Sequence, residues 1–511
     1  MTNPNKPLVV FQNCILRPQH FAKEIFPNPT TLTILPTQKW AITGTHKTRF
    51  LEVLAGRYTA IPAESRSYPF LEKSVWPASV TSLVTFATDI RPAYLSARYE
   101  SYREPEDVNL ATFLKKSLDS ATDGKSPEEQ RQVYESVVKR LELEPLLSQW
   151  IVTLSNGQMR RARIARGLLS SPKMLLADEP FLGLDPVSTS TLSKLLGELA
   201  PAPQVILGLR AHEPVPDWIS HVAVIDESGL IKGGTRDEVR ENLQELVDRR
   251  TSIFIDRSYN FTAAKLLPPI RSGIDSIIDI DDITIAYKGK VVLKNLKWTV
   301  RRGERWHLRG NNGTGKSTLL SLITADHPQS WNSKINLFNE PRKVGRQNYF
   351  SINKVIGHAS PEIHAIFPST LTAFQTVSTG FTVGSFLPPS SASHVAGILT
   401  KEEQNKRIHS LLEYFNVNPE ALFSDLTLND QKLALFMRAI VKNPEILILD
   451  EAFSGMNDES IFRCKQFVDD WGGTVIAIGH VEDEIPRCGK YIRLHGGDNL
   501  AEQGDVENSV I

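Results

Sequence analysis

Residues 310 to 318 read Gly310-Asn311-Asn312-Gly313-Thr314-Gly315-Lys316-Ser317-Thr318. Glycines at this spacing let the backbone turn with its amide N–H groups facing inward. A lysine and two hydroxyls then open the next element. This is the chemistry of a loop that wraps a phosphate chain. Lys316 would reach the β- and γ-phosphates, Ser317 would hold Mg2+, and the following helix would point its positive end at the anion. The surroundings agree: Glu304 to Leu308 reads as a strand, and Leu319-Leu320-Ser321-Leu322-Ile323 as the start of a helix. Downstream, the apolar run Leu447-Ile448-Leu449 ends in Asp450-Glu451, and His480 follows the apolar run Thr474 to Ile478. Behind a phosphate loop, Asp450 suits the positioning of Mg2+ through water, and Glu451 the orienting of an attacking water. His480 suits a sensor of the terminal phosphate. Phosphoryl transfer depends mainly on positioning and charge, which such side chains supply.

The elements that must hold these residues occur twice. Leu154-Ser155-Asn156-Gly157-Gln158, Arg166, Pro172, Asp178-Glu179 and Gly183-Leu184-Asp185 are matched by Leu426-Thr427-Leu428-Asn429-Asp430, Arg438, Pro444, Asp450-Glu451 and Gly455-Met456-Asn457. The offset is constant, 426 − 154 and 451 − 179 both giving 272. A period this long means duplicated domains. Unbroken apolar runs at Met174 to Ala177 and Ile446 to Leu449 predict central parallel strands covered on both faces, and alternating strands and helices predict an α/β fold. The expected organisation is a first domain over 1–248, a linker over 249–275 that holds Pro268-Pro269 and Gly273, and a second domain over 276–511.

Composition excludes little. The 511 residues are 41% hydrophobic and 23% charged, with 58 Lys+Arg against 58 Asp+Glu, so nothing global favours nucleic acid or an acidic membrane. Cys14, Cys464 and Cys488 are too few for a disulfide framework and point to a reducing compartment. No apolar run approaches the ~18 to 20 residues of a membrane helix. If the chain serves a transporter, another chain must supply the membrane part. The first 23 residues carry Lys6, Arg17 and Lys23 but no Asp or Glu. That start fits a mitochondrial presequence or a tail leading into the first strand, so the expected location is mitochondrial or cytoplasmic.

Taken together, these motifs resemble the ATP-binding-cassette ATPase superfamily, and Leu154-Ser155-Asn156-Gly157-Gln158 resembles its signature. The resemblance covers nearly the whole chain, twice. It implies two tandem P-loop NTPase domains of the ABC type, each with a helical subdomain, with ATP and Mg2+ bound. Two fused cassettes and the Ser360-Pro361-Glu362 stretch resemble the ModF-like, or photorepair-type, branch and its fungal relatives. The resemblance further implies a head-to-tail pairing in which each ATP lies between the phosphate loop of one cassette and the signature of the other.

Under that pairing the sequence predicts one working site and one degenerate site. The working site joins Gly310 to Thr318, Asp450, Glu451 and His480 to Ser155, Asn156, Gly157, Gln158 and Asp185 of the first copy. The other site is damaged on both sides. Trp40-Ala41-Ile42-Thr43-Gly44 aligns with Trp306-His307-Leu308-Arg309-Gly310, but the first loop runs from Gly44 to Lys47 and the second from Gly310 to Lys316, so three residues are missing. Lys47, Thr48, Asp178 and Glu179 survive. Asp430 places a negative charge where phosphate should approach, Asn457 replaces the loop aspartate, and Arg210 stands opposite His480, with His212 two residues on. Tyr287, 29 positions before Lys316, matches the family's adenine-stacking aromatic, with Phe21 as its counterpart. The family's glutamine between ATP and a membrane partner is absent: its expected position holds Pro361, with Glu362 next. Arg160, Arg161, Arg163 and Arg166 read as a charged helix face, with nucleic-acid contact the lesser alternative. The expected function is ATP hydrolysis that moves an unknown protein partner. The alternatives are the ATP-binding component of a transporter with separate membrane subunits, and a ribosome-associated translation factor, although the linker here is short and not strongly basic.

Overall fold

A computed structural model of the chain describes residues 6–18, 23–72, 75–86, 108–121, 126–151, 154, 156–199, 202–211, 213–246, 276–287, 290–343, 345, 347–388, 399–496 and 500–506. The expected linker over 249–275 lies outside them. The described residues fall into two compact units, one before residue 247 and one after residue 275.

Each unit is built on a six-stranded sheet, and the two sheets share one strand order. In the first unit it runs Thr81–Thr85, Met174–Asp178, Gln204–Leu209, Trp40–Thr43, His221–Asp226, Gly229–Thr235. In the second it runs Ile356–Ala359, Ile446–Asp450, Thr474–Ile478, Arg305–Arg309, Lys490–Arg493, Glu502–Asp505. Neighbours are parallel except for the last pair in each sheet, which is antiparallel. The apolar runs are buried throughout, as expected of strands covered on both faces. Their side chains alternate between two cores. Leu175 and Ala177 join one cluster of the first unit and Met174 and Leu176 the other, as Leu447 and Leu449 against Ile446 and Ile448 do in the second. Each unit also carries a small antiparallel sheet, around Val9–Arg17 in the first and Ser276–Tyr287 in the second.

The strand before the second loop spans Arg305–Arg309, one residue later than its sequence suggests. Glu304 is held in the preceding turn, where its carboxylate accepts from Arg301 N at 2.9 Å and from Trp306 Nε1 at 2.8 Å. A helical layer packs on the signature-bearing helix in each unit: Leu110–Ala121 and Pro127–Arg140 against Asn156–Leu168, and Ala373–Ser378 and Lys401–Tyr414 against Leu428–Ile440. Pro127–Arg140 and Lys401–Tyr414 both start in capping boxes, Ser126 with Glu129 and Thr400 with Glu403, which fixes where each begins.

Phe436 is the aromatic hub of the second helical layer, with ring centroids 5.5 Å from Phe453, 5.8 Å from Phe415 and 6.0 Å from Phe467. Phe436→Ala is expected to destabilise the second unit by about 3 to 5 kcal/mol, measured by urea unfolding. A cost below about 1 kcal/mol would show that the layer repacks without it.

Candidate active site

In the second unit the strand Arg305–Arg309 delivers the chain to Gly310 at φ +143, where a Cβ would stand 2.6 Å from Leu494 O and from Thr314 Oγ1, so only glycine fits. Gly313 and Gly315 also have positive φ. Lys316 opens the helix Lys316–Thr324 and is buried. Its ammonium donates to Gly310 O at 2.8 Å and Asn311 O at 3.1 Å, and the Thr314 hydroxyl donates to Asn311 O at 2.9 Å. Ser317 and Thr318 follow in the first helical turn, Ser317 exposed.

The neighbouring strands bring the remaining groups to the same sheet edge. Asp450 ends its strand, paired in register with Ile478, and Glu451 N donates back to Ile478 O at 2.9 Å. Two residues past Ile478, His480 Nε2 lies 3.7 Å from Glu451 Oε1 and 3.2 Å from Asn312 Oδ1. Asn312 Nδ2 is buried with no hydrogen-bond partner in the protein. Burial pushes Glu451 up to about 7, Glu362 and Glu484 adding to the shift and Lys432 and Lys316 opposing it. Asp450 lies well above the usual carboxylate range, first through burial, then through Glu362 and Glu451, with Lys316 opposing. Sequence reasoning noted Glu362 only as a neighbour of a missing glutamine. Its influence arises because the strand Ile356–Ala359 runs parallel beside Ile446–Asp450, with Ala359 opposite Leu449.

The first unit places its counterparts alike but joins them differently. Gly44 has φ +111, and a Cβ there would meet Ile225 O at 1.8 Å. Lys47 opens the helix Lys47–Leu54, and its ammonium lies 2.6 Å from Glu179 Oε1. Thr48 Oγ1 donates to Asp178 Oδ2 at 2.7 Å. Register confirms the position of Arg210: Asp178 pairs with Gly208 as Asp450 pairs with Ile478, and Arg210 lies two residues on. Its Nε stands 3.5 Å from Glu179 Oε1. Lys47 and Arg210 outweigh burial and hold Glu179 down to about 2, whereas burial pushes nearby Glu213 up to about 7.

The sequence matches the ABC transporter family over residues 28–182 and again over 293–454. The chain belongs to that family. It is 37% identical over 516 residues to an uncharacterised ABC transporter ATP-binding protein of Saccharomyces cerevisiae, covering 93% of this chain and 94% of that one. A relative from Schizosaccharomyces pombe is 34% identical over 465 residues, covering 88% and 91%. The ATP-binding protein ModF of Escherichia coli is 29% identical over 359 residues, covering 67% and 70%. Among solved structures, the RNase-L Inhibitor aligns over 96% of this chain and 89% of its own with a TM-score of 0.51 at 16% identity, a likeness of fold. The chain is thus an ABC ATPase with two tandem cassettes. No helix among the described residues is long and apolar enough to cross a membrane.

The remaining motif residues of this ABC protein have local roles that the structure makes visible. Gly157 and Gln158 lie in the first turn of Asn156–Leu168, while Ser155, the Asn156 side chain, the Tyr287 side chain, Phe21 and His212 lie outside what is described. Asp185 caps the helix Pro186–Leu199, accepting from Val187 N at 3.1 Å and Ser188 N at 3.0 Å. Asn457 caps Asp458–Asp470 in the same way, from Ser460 N at 2.8 Å, so the aspartate-to-asparagine change keeps the cap and removes the charge. Asp430 has been drawn into the start of Leu428–Ile440, where it accepts from Thr427 Oγ1 at 2.8 Å and its N donates back to that hydroxyl at 3.2 Å. The arginine run is half-buried except for Arg166, which is exposed. Arg160 donates to Glu179 O and Pro180 O, Arg161 to Leu141 O and Arg163 to Thr85 O, and Arg166 lies over the Phe113 ring.

The opposite shifts of the two glutamates predict opposite pH responses. Glu451 titrates higher in the folded protein than its ordinary 4.5, so its contribution to stability is full below about pH 4.5 and is lost as pH rises through about 7. Glu179 titrates lower, at about 2, so its contribution is present above about pH 4.5 and is lost as pH falls toward 2. Thermal unfolding should show Glu451→Gln gaining on the parent between pH 5 and 8, and Glu179→Gln losing its disadvantage below pH 4.5. Parallel pH profiles would contradict both assignments.

Proposed function

We propose that this ABC ATPase hydrolyses ATP to ADP and phosphate at one composite site, and that closure and opening around that site move a protein partner. The observation that carries the reading is the contrast between the two phosphate loops. In the second unit the full loop holds Lys316 on its own carbonyls, which an incoming phosphate can replace. In the first, the shortened loop leaves Lys47 on a carboxylate.

In this reading the amides of Gly310 to Thr318 and the start of the helix Lys316–Thr324 receive the phosphates. Lys316 leaves the carbonyls of Gly310 and Asn311 for the β- and γ-phosphates, and Asn312 Nδ2 offers a donor that no protein group uses. Glu451 orients the attacking water and receives its proton, for which a carboxylate poised near 7 is suited. His480 sits beside Glu451 to meet the terminal phosphate. Ser317 and Asp450 fit Mg2+, since the buried Asp450 lies among Glu362 and Glu451 with Lys316 opposing them. When bound, the ion would neutralise developing charge on the phosphates. In the head-to-tail pairing that the family resemblance implies, Ser155, Asn156, Gly157, Gln158 and Asp185 would complete this site, and Tyr287 would stack on adenine.

Glu451→Gln should lower steady-state ATP hydrolysis at least a hundredfold, and Glu179→Gln should leave most of it. Equal losses would reject the asymmetry. Captured with ATP, the Glu451→Gln protein should carry its partner in neither the membrane nor the ribosome fraction, because the membrane-coupling glutamine is missing and the linker is short. Enrichment in either fraction would restore the corresponding alternative.

A further inference from the structure

In the first unit the lysine of the phosphate loop is already answered by a protein carboxylate. Lys47 Nζ stands 2.6 Å from Glu179 Oε1, and Arg210 brings Nε within 3.5 Å of the same oxygen and Nη2 within 3.5 Å of Oε2. The three side chains are 10%, 18% and 9% exposed, so water screens these contacts weakly. Glu179 is also held by its backbone. It has φ +53, its N–H donates to Gly208 O at 2.9 Å, and Arg160 donates to Glu179 O at 3.1 Å and Pro180 O at 3.2 Å. Thr48, which follows Lys47 as Ser317 follows Lys316, has its hydroxyl on Asp178. Glu213 accepts from Arg210 N at 3.2 Å and completes the group.

A nucleotide phosphate at this position would draw on Lys47, Arg210 and Thr48, and each of them already meets an anion. In the second unit Lys316 meets backbone carbonyls, and Glu451 lies near His480 at 3.7 Å. We infer that Glu179 is the resident anion of the first phosphate loop: its carboxylate takes the seat of a nucleotide phosphate on Lys47 and Arg210, and this contact keeps nucleotide out of the first unit. The inference goes beyond loss of the loop, because it makes exclusion depend on one side chain. It rests on the reading of the second unit as the ATP site only for the background of its test.

The test is equilibrium dialysis of the full chain against radiolabelled ATP with Mg2+. The parent should bind one ATP per chain. Lys316→Ala should remove it, and Lys316→Ala/Glu179→Ala should restore one ATP per chain with affinity at least tenfold above that of Lys316→Ala alone. If the alanine variant does not fold, Lys316→Ala/Glu179→Gln removes the charge while keeping the shape and should show the same gain. ATP bound at the first unit in Lys316→Ala alone would overturn the inference. So would the absence of any gain in the folded double variant, which would assign exclusion to the shortened loop. A parent chain that binds no ATP would instead strike the reading of the second unit, and the double variant would still decide this one.

Discussion

A lysine that opens a helix behind a glycine turn is buried in both halves of this protein, and a buried ammonium must have acceptors. The two halves meet that demand differently. Lys316 donates to the carbonyls of its own loop, and its charge also acts on the nearby Asp450 and Glu451 carboxylates. Lys47, on a loop three residues shorter, reaches Glu179 instead. Removing one partner of a buried pair of that kind costs roughly 3 to 5 kcal/mol, because the other charge is left uncompensated. The perturbed carboxylates follow from the same difference. Glu179 is held low by two cations, whereas burial raises Glu451.

The two halves diverge at their phosphate loops while the sheet beneath them is shared. Both sheets have one strand order, and in both a strand ending in aspartate pairs in register with the strand that leads to Arg210 or His480. Central strands buried on both faces tolerate little change in volume. A loop at the sheet edge can lose three residues without disturbing the core. Arg160 and Lys432 illustrate the same economy: at equivalent positions, each donates to a carbonyl of the loop beyond the Asp-Glu strand, Leu182 and Ser454. Arg160 and Lys432 therefore tie their helices to that loop.

The motif residues were legible in the sequence to the extent that their chemistry is local. Glycine spacing at 310–315, the offset between the copies and the two apolar strands led directly to a duplicated α/β fold. The position of Arg210 opposite His480 was also legible. What Arg210 touches was not, since Glu179 is 31 positions away and meets it only across adjacent strands. Asp430 read as a charge repelling phosphate. The structure adds that it caps its own helix with Thr427, a pairing its spacing of three allows.

By itself the sequence determined the family, the duplication and which phosphate loop is complete, because backbone conformation in a glycine turn and periodicity in a buried strand are set by neighbouring residues. Only the tertiary structure decided where the charges go. Whether Lys47 faces a carbonyl or a carboxylate, and whether Glu362 lies beside Asp450, depends on which strands run side by side, and electrostatic partners are chosen across that distance rather than along the chain.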